Sequence, residues 1–272
     1  MIMPAQPERI EVKTSDGALL HAYREGSGPI LFLISGLGGT AGFWTPAVQR
    51  LASRFTVIRF DQRGIAQSTR GPAQCSIATL AHDSLCVLDA FAINKAMVLG
   101  HSTGGCIVQC MASIAATRLE RAILSATWIQ AGPYMQALFS MRKSLLVAAP
   151  QAYAESAALL SYPPDWLQDH WPVFEKSAAS APRSEQEKAI IAERIDALLA
   201  YDGHGMLKAL TMPTLILGAE DDIIVPSLYQ KELIAHLPTS QITMMPKGGH
   251  FFPVTQTEYF VERLIAFAGG AQ

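Results

Sequence analysis

The chain has few cysteines, and their spacing excludes the folds that depend on them. It contains four, Cys75, Cys86, Cys106 and Cys110, and none of them forms a CxxC pair. A chain of 272 residues with so few cysteines is not a small scaffold held by disulfides. Cys106 and Cys110 stand one helical turn apart, but two thiols do not complete a zinc site. We therefore expect small buried core residues at these positions, with no metal ion.

Charge is also scarce. Charged residues make up 16% of the chain, the formal net charge is −2, and Lys and Arg form no run. A nucleic-acid-binding domain needs a basic patch, so we expect no nucleic-acid partner. No apolar run approaches the ~18 residues that span a bilayer, and the N-terminal segment lacks the basic and apolar regions of a secretory signal. These absences predict a cytoplasmic protein without a membrane segment.

Apolar residues are abundant, at half of the chain, which is typical of a globular domain. Short apolar runs, typical of strands buried on both faces, lie at residues 29–34, 55–60, 96–100, 121–126, 213–218 and 240–246. Segments with helical periodicity lie at 76–91, 103–117 and 227–237. Two segments in which apolar and polar residues alternate, RIEVKT and ALLHAYRE, flank the SDG turn at 15–17 and predict an N-terminal hairpin. The pattern predicts an α/β fold with a mostly parallel sheet and helices on both faces.

The alternation of strands and helices stops between about residues 128 and 208. Four segments in this region have helical character, at 133–148, 150–161, 164–177 and 184–200. Ser184, followed three residues later by Glu187, predicts a capping box at the start of the last one. We therefore predict a core domain of residues 1–127 and 209–272, and a helical cap subdomain of residues 128–208 over the sheet's edge.

The stretch GHSTG at 100–104 fits the pattern G-x-S-x-G. A strand-like run precedes it and a helix-like segment follows, which is the context of a nucleophile on a sharp strand-to-helix turn. Glycines two positions before and after Ser102 leave room where side chains would clash. The sequence therefore predicts Ser102 as a nucleophile.

A serine hydroxyl needs a base, and the base needs an orienting carboxylate. His250 lies on a glycine-rich loop after a strand-like run, whereas His101 beside the serine is interpreted as structural. Three acids, at 220–222, follow the buried run at 213–218, so the order serine, acid, histidine matches that of this motif class.

Acyl transfer also needs donors for the developing oxyanion. The backbone N–H of Thr103 is one candidate. The second is expected from the loop at 35–43, where four glycines in nine residues allow close backbone approach to a ligand. That loop has no GK[ST] and no GxGxxG, which disfavours a phosphate cradle.

Five segments in this order resemble the α/β-hydrolase superfamily: SGLGG, DQRGIAQS, GHSTGG, AEDDIIVP and GGHF. The resemblance implies an α/β-hydrolase fold, with an eight-stranded, mostly parallel sheet and a helical cap inserted after strand six. It also implies Asp222 as the acid, counted back from Pro226, with Asp221 as the alternative, and Leu37 as the second oxyanion donor. The chain departs from the family at Ser35, where a histidine is usual, and this leaves open how the oxyanion loop is braced.

Within the superfamily, LISGLGG, YPPDW and DDIIVP resemble the group of enol-lactonases and aminoacrylate hydrolases. The resemblance implies a serine hydrolase for a small ester or enol-lactone, with no cofactor. An amide or carbamate hydrolase, a carbon–carbon bond hydrolase and a non-catalytic small-molecule receptor stay open. Haloalkane dehalogenases and epoxide hydrolases are disfavoured, because they use Asp where Ser102 stands.

A small-molecule pocket is expected between the sheet's C-terminal edge and the cap. Its predicted walls include the aromatic residues Trp128, Tyr134, Phe139 and Trp166. Arg63 is interpreted as bracing its loop against Asp61 rather than as a substrate anchor, and the pair at 142–143 as cap surface. The sequence leaves the oligomeric state open between monomer and homodimer.

Overall fold

A computed structural model of the protein describes residues 6–269. The predicted core ranges therefore begin and end outside the described residues. The strands are β1 (Glu8–Lys13), β2 (Leu19–Gly26), β3 (Ile30–Ile34), β4 (Thr56–Phe60), β5 (Ala96–His101), β6 (Leu119–Ser125), β7 (Thr214–Ala219) and β8 (Gln241–Met245). They form one sheet in the order β1-β2-β4-β3-β5-β6-β7-β8, in which β2 is antiparallel to both β1 and β4 and the other pairs are parallel. The predicted α/β-hydrolase fold is confirmed.

Helices cover both faces of this sheet. They are α1 (Thr45–Leu51), α2 (Ile77–Ala90), α3 (Thr103–Ala115), α4 (Pro133–Ala148), α5 (Pro150–Ser161), α6 (Pro164–Asp169), α7 (Trp171–Ala179), α8 (Glu185–Leu199), α9 (Leu228–His236), α10 (Phe252–Thr255) and α11 (Thr257–Ala268). No helix among residues 6–269 is both long enough and apolar enough to cross a membrane.

The central strands are apolar at every position because they divide their side chains between two cores. In β3, Phe32 and Ile34 pack with residues of α2, α3 and α9, whereas Leu31 and Leu33 pack with residues of α1 and α11. Successive side chains of a strand point to opposite faces, so a strand with helices on both sides needs no polar face. The cysteines are unpaired; Cys86 is half-buried and the other three are buried.

Five helices, α4 to α8, lie between β6 and β7. Helices α4 and α5 have the predicted bounds, and α8 begins at the predicted capping box of Ser184 and Glu187. The single helix predicted for 164–177 is wrong, because two helices, α6 and α7, meet at His170. Pro172 lies in the first turn of α7, where its missing N–H costs no helical hydrogen bond. The division into core and cap domains stays a prediction.

Candidate active site

Ser102 occupies a strained turn between β5 and α3. Its backbone has φ 57° and ψ −124°, a conformation that L-residues rarely adopt. A Cβ at Gly100 would lie 2.0 Å from the Gly104 carbonyl oxygen, and a Cβ at Gly104 would lie 2.3 Å from that of Ile34. The flanking glycines are thus required by close backbone contacts, and the turn lifts the Ser102 side chain above the carboxyl end of the sheet.

The three predicted catalytic side chains form one hydrogen-bonded chain. His250 Nε2 lies 3.0 Å from Ser102 Oγ, and His250 Nδ1 lies 2.8 Å from Asp222 Oδ2. All three residues are buried. With the proton on Nδ1 donated to the carboxylate, Nε2 accepts the serine hydroxyl proton, which is the arrangement that activates a serine for attack.

The two adjacent aspartates have different partners. The second oxygen of Asp222 accepts hydrogen bonds from the amides of residues 224–225, at 2.8 and 2.9 Å, which fixes the carboxylate facing the histidine. Asp221 instead accepts from the amides of residues 248–249, at 3.1 and 2.9 Å. Asp221 therefore holds the loop that carries His250, and Asp222 contacts its ring.

The two predicted oxyanion donors lie beside the serine. Thr103 is the first residue of α3, where backbone N–H groups have no partner within the helix and the helix dipole favours negative charge. Leu37 follows Gly36, whose added Cβ would lie 2.9 Å from Ser102 Cβ. Within residues 6–269, neither amide donates to an acceptor of the chain. Both are free to bind an anionic oxygen next to Ser102 Oγ.

The loop that carries Leu37 is braced without the usual histidine. The Ser35 hydroxyl is buried and has no partner among the described residues, so it does not replace that side chain. The side-chain Nε2 of Gln62 instead donates to the Ser35 carbonyl oxygen at 2.7 Å, and the backbone N–H of Gln62 donates to the Gly39 carbonyl oxygen at 2.8 Å. Arg194, from α8, donates to the Leu37 carbonyl oxygen at 2.8 Å. No sequence pattern indicated Gln62 or Arg194 in this role.

His101, the residue before Ser102, is a second buried histidine near the serine, and its contacts agree with a structural role. Its Nδ1 lies 3.0 Å from Ser125 Oγ, and its ring centroid lies 5.0 Å from that of His250. Burial, and secondarily the charge of His250, hold the pKa of His101 well below its usual range. His101 is therefore neutral near pH 7, and it adds no positive charge beside His250.

A cavity of about 420 Å³ opens above Ser102, between the carboxyl ends of the strands and the inserted helices. Its wall is mostly apolar; the larger side chains that line it are Leu37, Phe43, Ile65, Phe139, Arg142, Tyr153, Ile191, Ile224 and Phe251. The volume lies within the range of small-molecule sites. Phe139 is the one predicted aromatic wall residue that lines it.

The other three predicted wall residues do not line this cavity. Trp128 is fully buried in the core under β6 and α3. Tyr134 is 48% exposed, with its hydroxyl donating to the Ile223 carbonyl oxygen at 2.5 Å. Trp166 stacks between Tyr162 and His170, with ring centroids at 4.9 and 4.0 Å. Core packing, a surface hydrogen bond and stacking within the insertion account for these positions.

Two predictions for arginines need correction. Arg63 braces its loop as expected, but its partners are Asp83, at 2.6 Å, and Asp16, at 3.0 Å, rather than Asp61. Arg142, predicted at the surface, is 6% exposed and lines the cavity. Its neighbour Lys143 does lie at the surface, where it pairs with an aspartate of α8.

No group of three or more His, Cys, Asp or Glu side chains within residues 6–269 is arranged to hold a metal ion. The site brings together Ser102, His250, Asp222 and the two backbone amides. These groups suffice for acyl transfer, which needs no further group from a cofactor.

Residues 29–256 match the family model of the alpha/beta hydrolase fold. The chain therefore belongs to the α/β-hydrolase family, as the topology and the serine turn indicate.

Its curated relatives include proteins provisionally named carbamate hydrolase RutD. The one from Azorhizobium caulinodans is 34% identical over 245 residues, which cover 90% of this chain and 92% of the relative. The one from Caulobacter vibrioides strain NA1000 is 34% identical over 271 residues, which cover 97% of this chain and 99% of the relative.

Solved structures give the same fold. A hydrolase from Pseudomonas aeruginosa PA01 superposes with a TM-score of 0.86 and 27% identity, over 96% of this chain and 98% of its own. The enol-lactonase from Burkholderia xenovorans LB400 superposes with a TM-score of 0.85 and 21% identity, over 96% of this chain and 100% of its own. At that identity the enol-lactonase supports the fold alone.

Proposed function

We propose that the chain is a serine hydrolase that cleaves a small carbonyl compound through an acyl-enzyme on Ser102. The observation that carries this proposal is the hydrogen-bonded chain from Ser102 through His250 to Asp222, at 3.0 and 2.8 Å, beside two free backbone amides. A buried serine with a base, an orienting acid and oxyanion donors is the constellation of acyl transfer on many folds.

The reaction then follows from the geometry. Ser102 Oγ bonds to the carbonyl carbon while its proton moves to His250 Nε2, and the carbonyl electron pair moves to the oxygen. The amides of Leu37 and Thr103 stabilise that oxyanion, and Asp222 stabilises the imidazolium. His250 returns the proton to the leaving atom as its bond to carbon breaks. Water repeats the sequence on the acyl-enzyme and releases the acid.

For the bond that is cleaved, an ester or enol-lactone is the first candidate. The cavity of about 420 Å³ with apolar walls suits an acyl group with several carbons. A carbamate or amide is the second candidate, because relatives at 34% identity carry the name carbamate hydrolase. Both candidates use the same serine, and they differ in whether oxygen or nitrogen leaves.

Hydrolysis of p-nitrophenyl acetate, butyrate and octanoate by wild type and Ser102→Ala tests the proposal. We expect turnover by wild type and a loss of about 10⁴- to 10⁶-fold in kcat in the variant, because the three side chains act as a unit. The preference for chain length then reports the depth of the cavity. Residual activity of Ser102→Ala within tenfold of wild type would exclude the assignment.

A matched series of p-nitrophenyl butyrate, p-nitrobutyranilide and p-nitrophenyl carbamate separates the two candidates. Release of p-nitroaniline from the anilide at a rate comparable to ester cleavage supports the amide candidate. Release of p-nitrophenol from the carbamate at a rate comparable to that from the butyrate supports a site that accepts a carbamoyl group. Binding of ligands without turnover, unchanged in Ser102→Ala, would instead support a receptor.

A further inference from the structure

Arg142 is the one arginine or lysine that lines the active-site cavity among the residues that the structure describes. It lies on α4 and is 6% exposed. Its guanidinium makes no hydrogen bond or ion pair with any of residues 6–269, and its Nε is buried without a partner. A buried cation without a partner is costly, so its presence in a ligand cavity indicates an anionic ligand.

Aromatic rings hold this guanidinium. Its central carbon lies 4.8 Å from the centroid of the Tyr153 ring and 5.7 Å from that of Phe139. Such cation–π contacts use no N–H group of the guanidinium, so these groups stay available to an acceptor. An edge with two parallel N–H groups matches the two oxygens of a carboxylate.

The remaining cavity wall offers no competing anion. No Asp or Glu of the described chain lines it. Asp222 contacts the Nδ1 side of the His250 ring and does not line the cavity. Glu193, on α8, is paired with Arg70 outside the cavity. Arg194, on α8, donates to the Leu37 carbonyl oxygen of the oxyanion loop and to Gln62 Oε1. Among residues 6–269, Arg142 is thus the arginine or lysine of this cavity, and no acidic side chain pairs with it.

We propose that Arg142 binds a carboxylate of the substrate, and that the substrate is an apolar acyl compound with a carboxylate remote from the scissile carbonyl. This inference rests on the proposed hydrolase function and names its substrate class. One guanidinium matches the single charge of a carboxylate, whereas a phosphate dianion would leave charge unpaired in an apolar wall.

The test compares mono-p-nitrophenyl adipate and suberate, which carry a free carboxylate, with their methyl esters, in which a methyl group replaces that charge. For wild type we expect KM at least about tenfold lower for the acids, because a buried charge-assisted pair discriminates by that much. Arg142→Gln should raise KM for the acids about 10- to 100-fold with kcat within threefold, and its effect on KM for the methyl esters should be at least about tenfold smaller. Lysine keeps the positive charge but lacks the two parallel N–H groups, so KM of Arg142→Lys for the acids should lie between those of wild type and Arg142→Gln.

Lys143→Gln is the matched control, since it removes the same charge from the next residue, which lies outside the cavity. It should change neither substrate series. The wild-type selectivity needs no variant, so a folding defect in Arg142→Gln does not prevent the test. Equal KM for acids and methyl esters in wild type, or an equal effect of Arg142→Gln on both, would overturn the inference while leaving the hydrolase function standing.

Should wild type cleave none of these esters, the proposed ester cleavage fails, and binding tests the inference separately. Calorimetry on Ser102→Ala would compare monomethyl adipate with dimethyl adipate. Tighter binding of the acid, lost when Arg142→Gln is added, supports the carboxylate site. Equal binding of the two, or none of the acid, overturns it.

Discussion

Arg194 and Leu37 are joined across the active site, since the guanidinium Nε on α8 donates to the Leu37 carbonyl oxygen at 2.8 Å. The same guanidinium donates to the carbonyl oxygen of Gly36 at 3.3 Å and to Gln62 Oε1 at 2.6 Å. Burial lowers the pKa of Arg194. A residue of the inserted helices thus fixes the loop whose Leu37 amide is the proposed oxyanion donor.

We predict that Arg194→Lys lowers kcat more than it lowers thermal stability. Lysine has a single donor nitrogen, so it cannot reach the Leu37 carbonyl oxygen and Gln62 Oε1 in the way that two nitrogens of a guanidinium do. The Leu37 amide then loses its fixed direction. The loss of one oriented oxyanion donor costs about 10²- to 10³-fold in kcat, and a misdirected one should cost roughly tenfold or more. The measurement is kcat and KM on p-nitrophenyl butyrate, beside the midpoint of thermal unfolding.

Glu193→Gln provides the control for this prediction. Glu193 ties the same helix to the core through Arg70 but does not contact the oxyanion loop. It should lower the unfolding temperature slightly and leave kcat within about twofold, because a half-exposed ion pair contributes little. If both variants lose the same kcat, Arg194 acts through the stability of the insertion and not through Leu37.

Substitution of Asp222 should lower activity, whereas substitution of Asp221 should lower the stability of the loop that carries His250. Asp222→Asn keeps the shape but favours the wrong histidine tautomer, so we expect kcat to fall about 10³- to 10⁴-fold with little change in KM. Asp221→Asn removes the charge that accepts from the amides of 248–249, and it should cost about 1–3 kcal/mol of stability. Its kcat should stay within tenfold of wild type. Assays of both variants with p-nitrophenyl butyrate check this, and the reverse order of losses in kcat would assign the acid to Asp221.

Local sequence patterns predicted the sheet and the serine and histidine that the structure brings together, because these depend on chain-local chemistry, and the resemblance to the family added the acid. Buried strands are continuously apolar, the serine turn needs its glycines, and the acid has a fixed distance from Pro226 in the family's motif. Helix α11 was not predicted, although Phe260, Val261, Leu264 and Phe267 have helical spacing and face the core.

The walls of the cavity could not be predicted in this way, because they depend on how the inserted helices lie on the core. Neighbours on a helix point about 100° apart, so Arg142 faces the cavity while Lys143 faces solvent. A signal for Arg142 was present. It continues the buried stripe of Met135, Phe139 and Leu146, so its place in an apolar face contradicted the surface interpretation.

Gly104→Ala should prevent normal folding of the serine turn. The added methyl carbon would lie 2.3 Å from the backbone oxygen of Ile34, and backbone cannot move away as a flexible side chain can. Overpacking of this kind costs about 1–3 kcal/mol or more. Gly38→Ala is the control, because an added Cβ there has no atom within 4 Å. Thermal unfolding of both variants tests the prediction, and equal midpoints would show that the turn adapts.

His101 should make the protein less stable as the pH falls from about 6.5. Below that value the histidine of the unfolded chain takes up a proton. The buried imidazole of the native state does not, because burial holds its pKa well below the usual range. The unfolded state then binds more protons, so the free energy of unfolding falls with decreasing pH by up to about 1.4 kcal/mol per pH unit from this residue.

Urea unfolding of wild type and His101→Gln at pH 7.5, 6.5, 5.5 and 5.0 measures that slope. Whatever its stability at pH 7.5, the free energy of unfolding of the variant should change less between pH 7.5 and 5.0 than that of wild type. His236→Gln removes an exposed histidine whose Nδ1 lies 3.0 Å from a carbonyl oxygen of its own helix, and it should keep the wild-type slope. If His101→Gln keeps that slope too, His101 takes up its proton in the folded protein, and the cavity tolerates a cation beside His250.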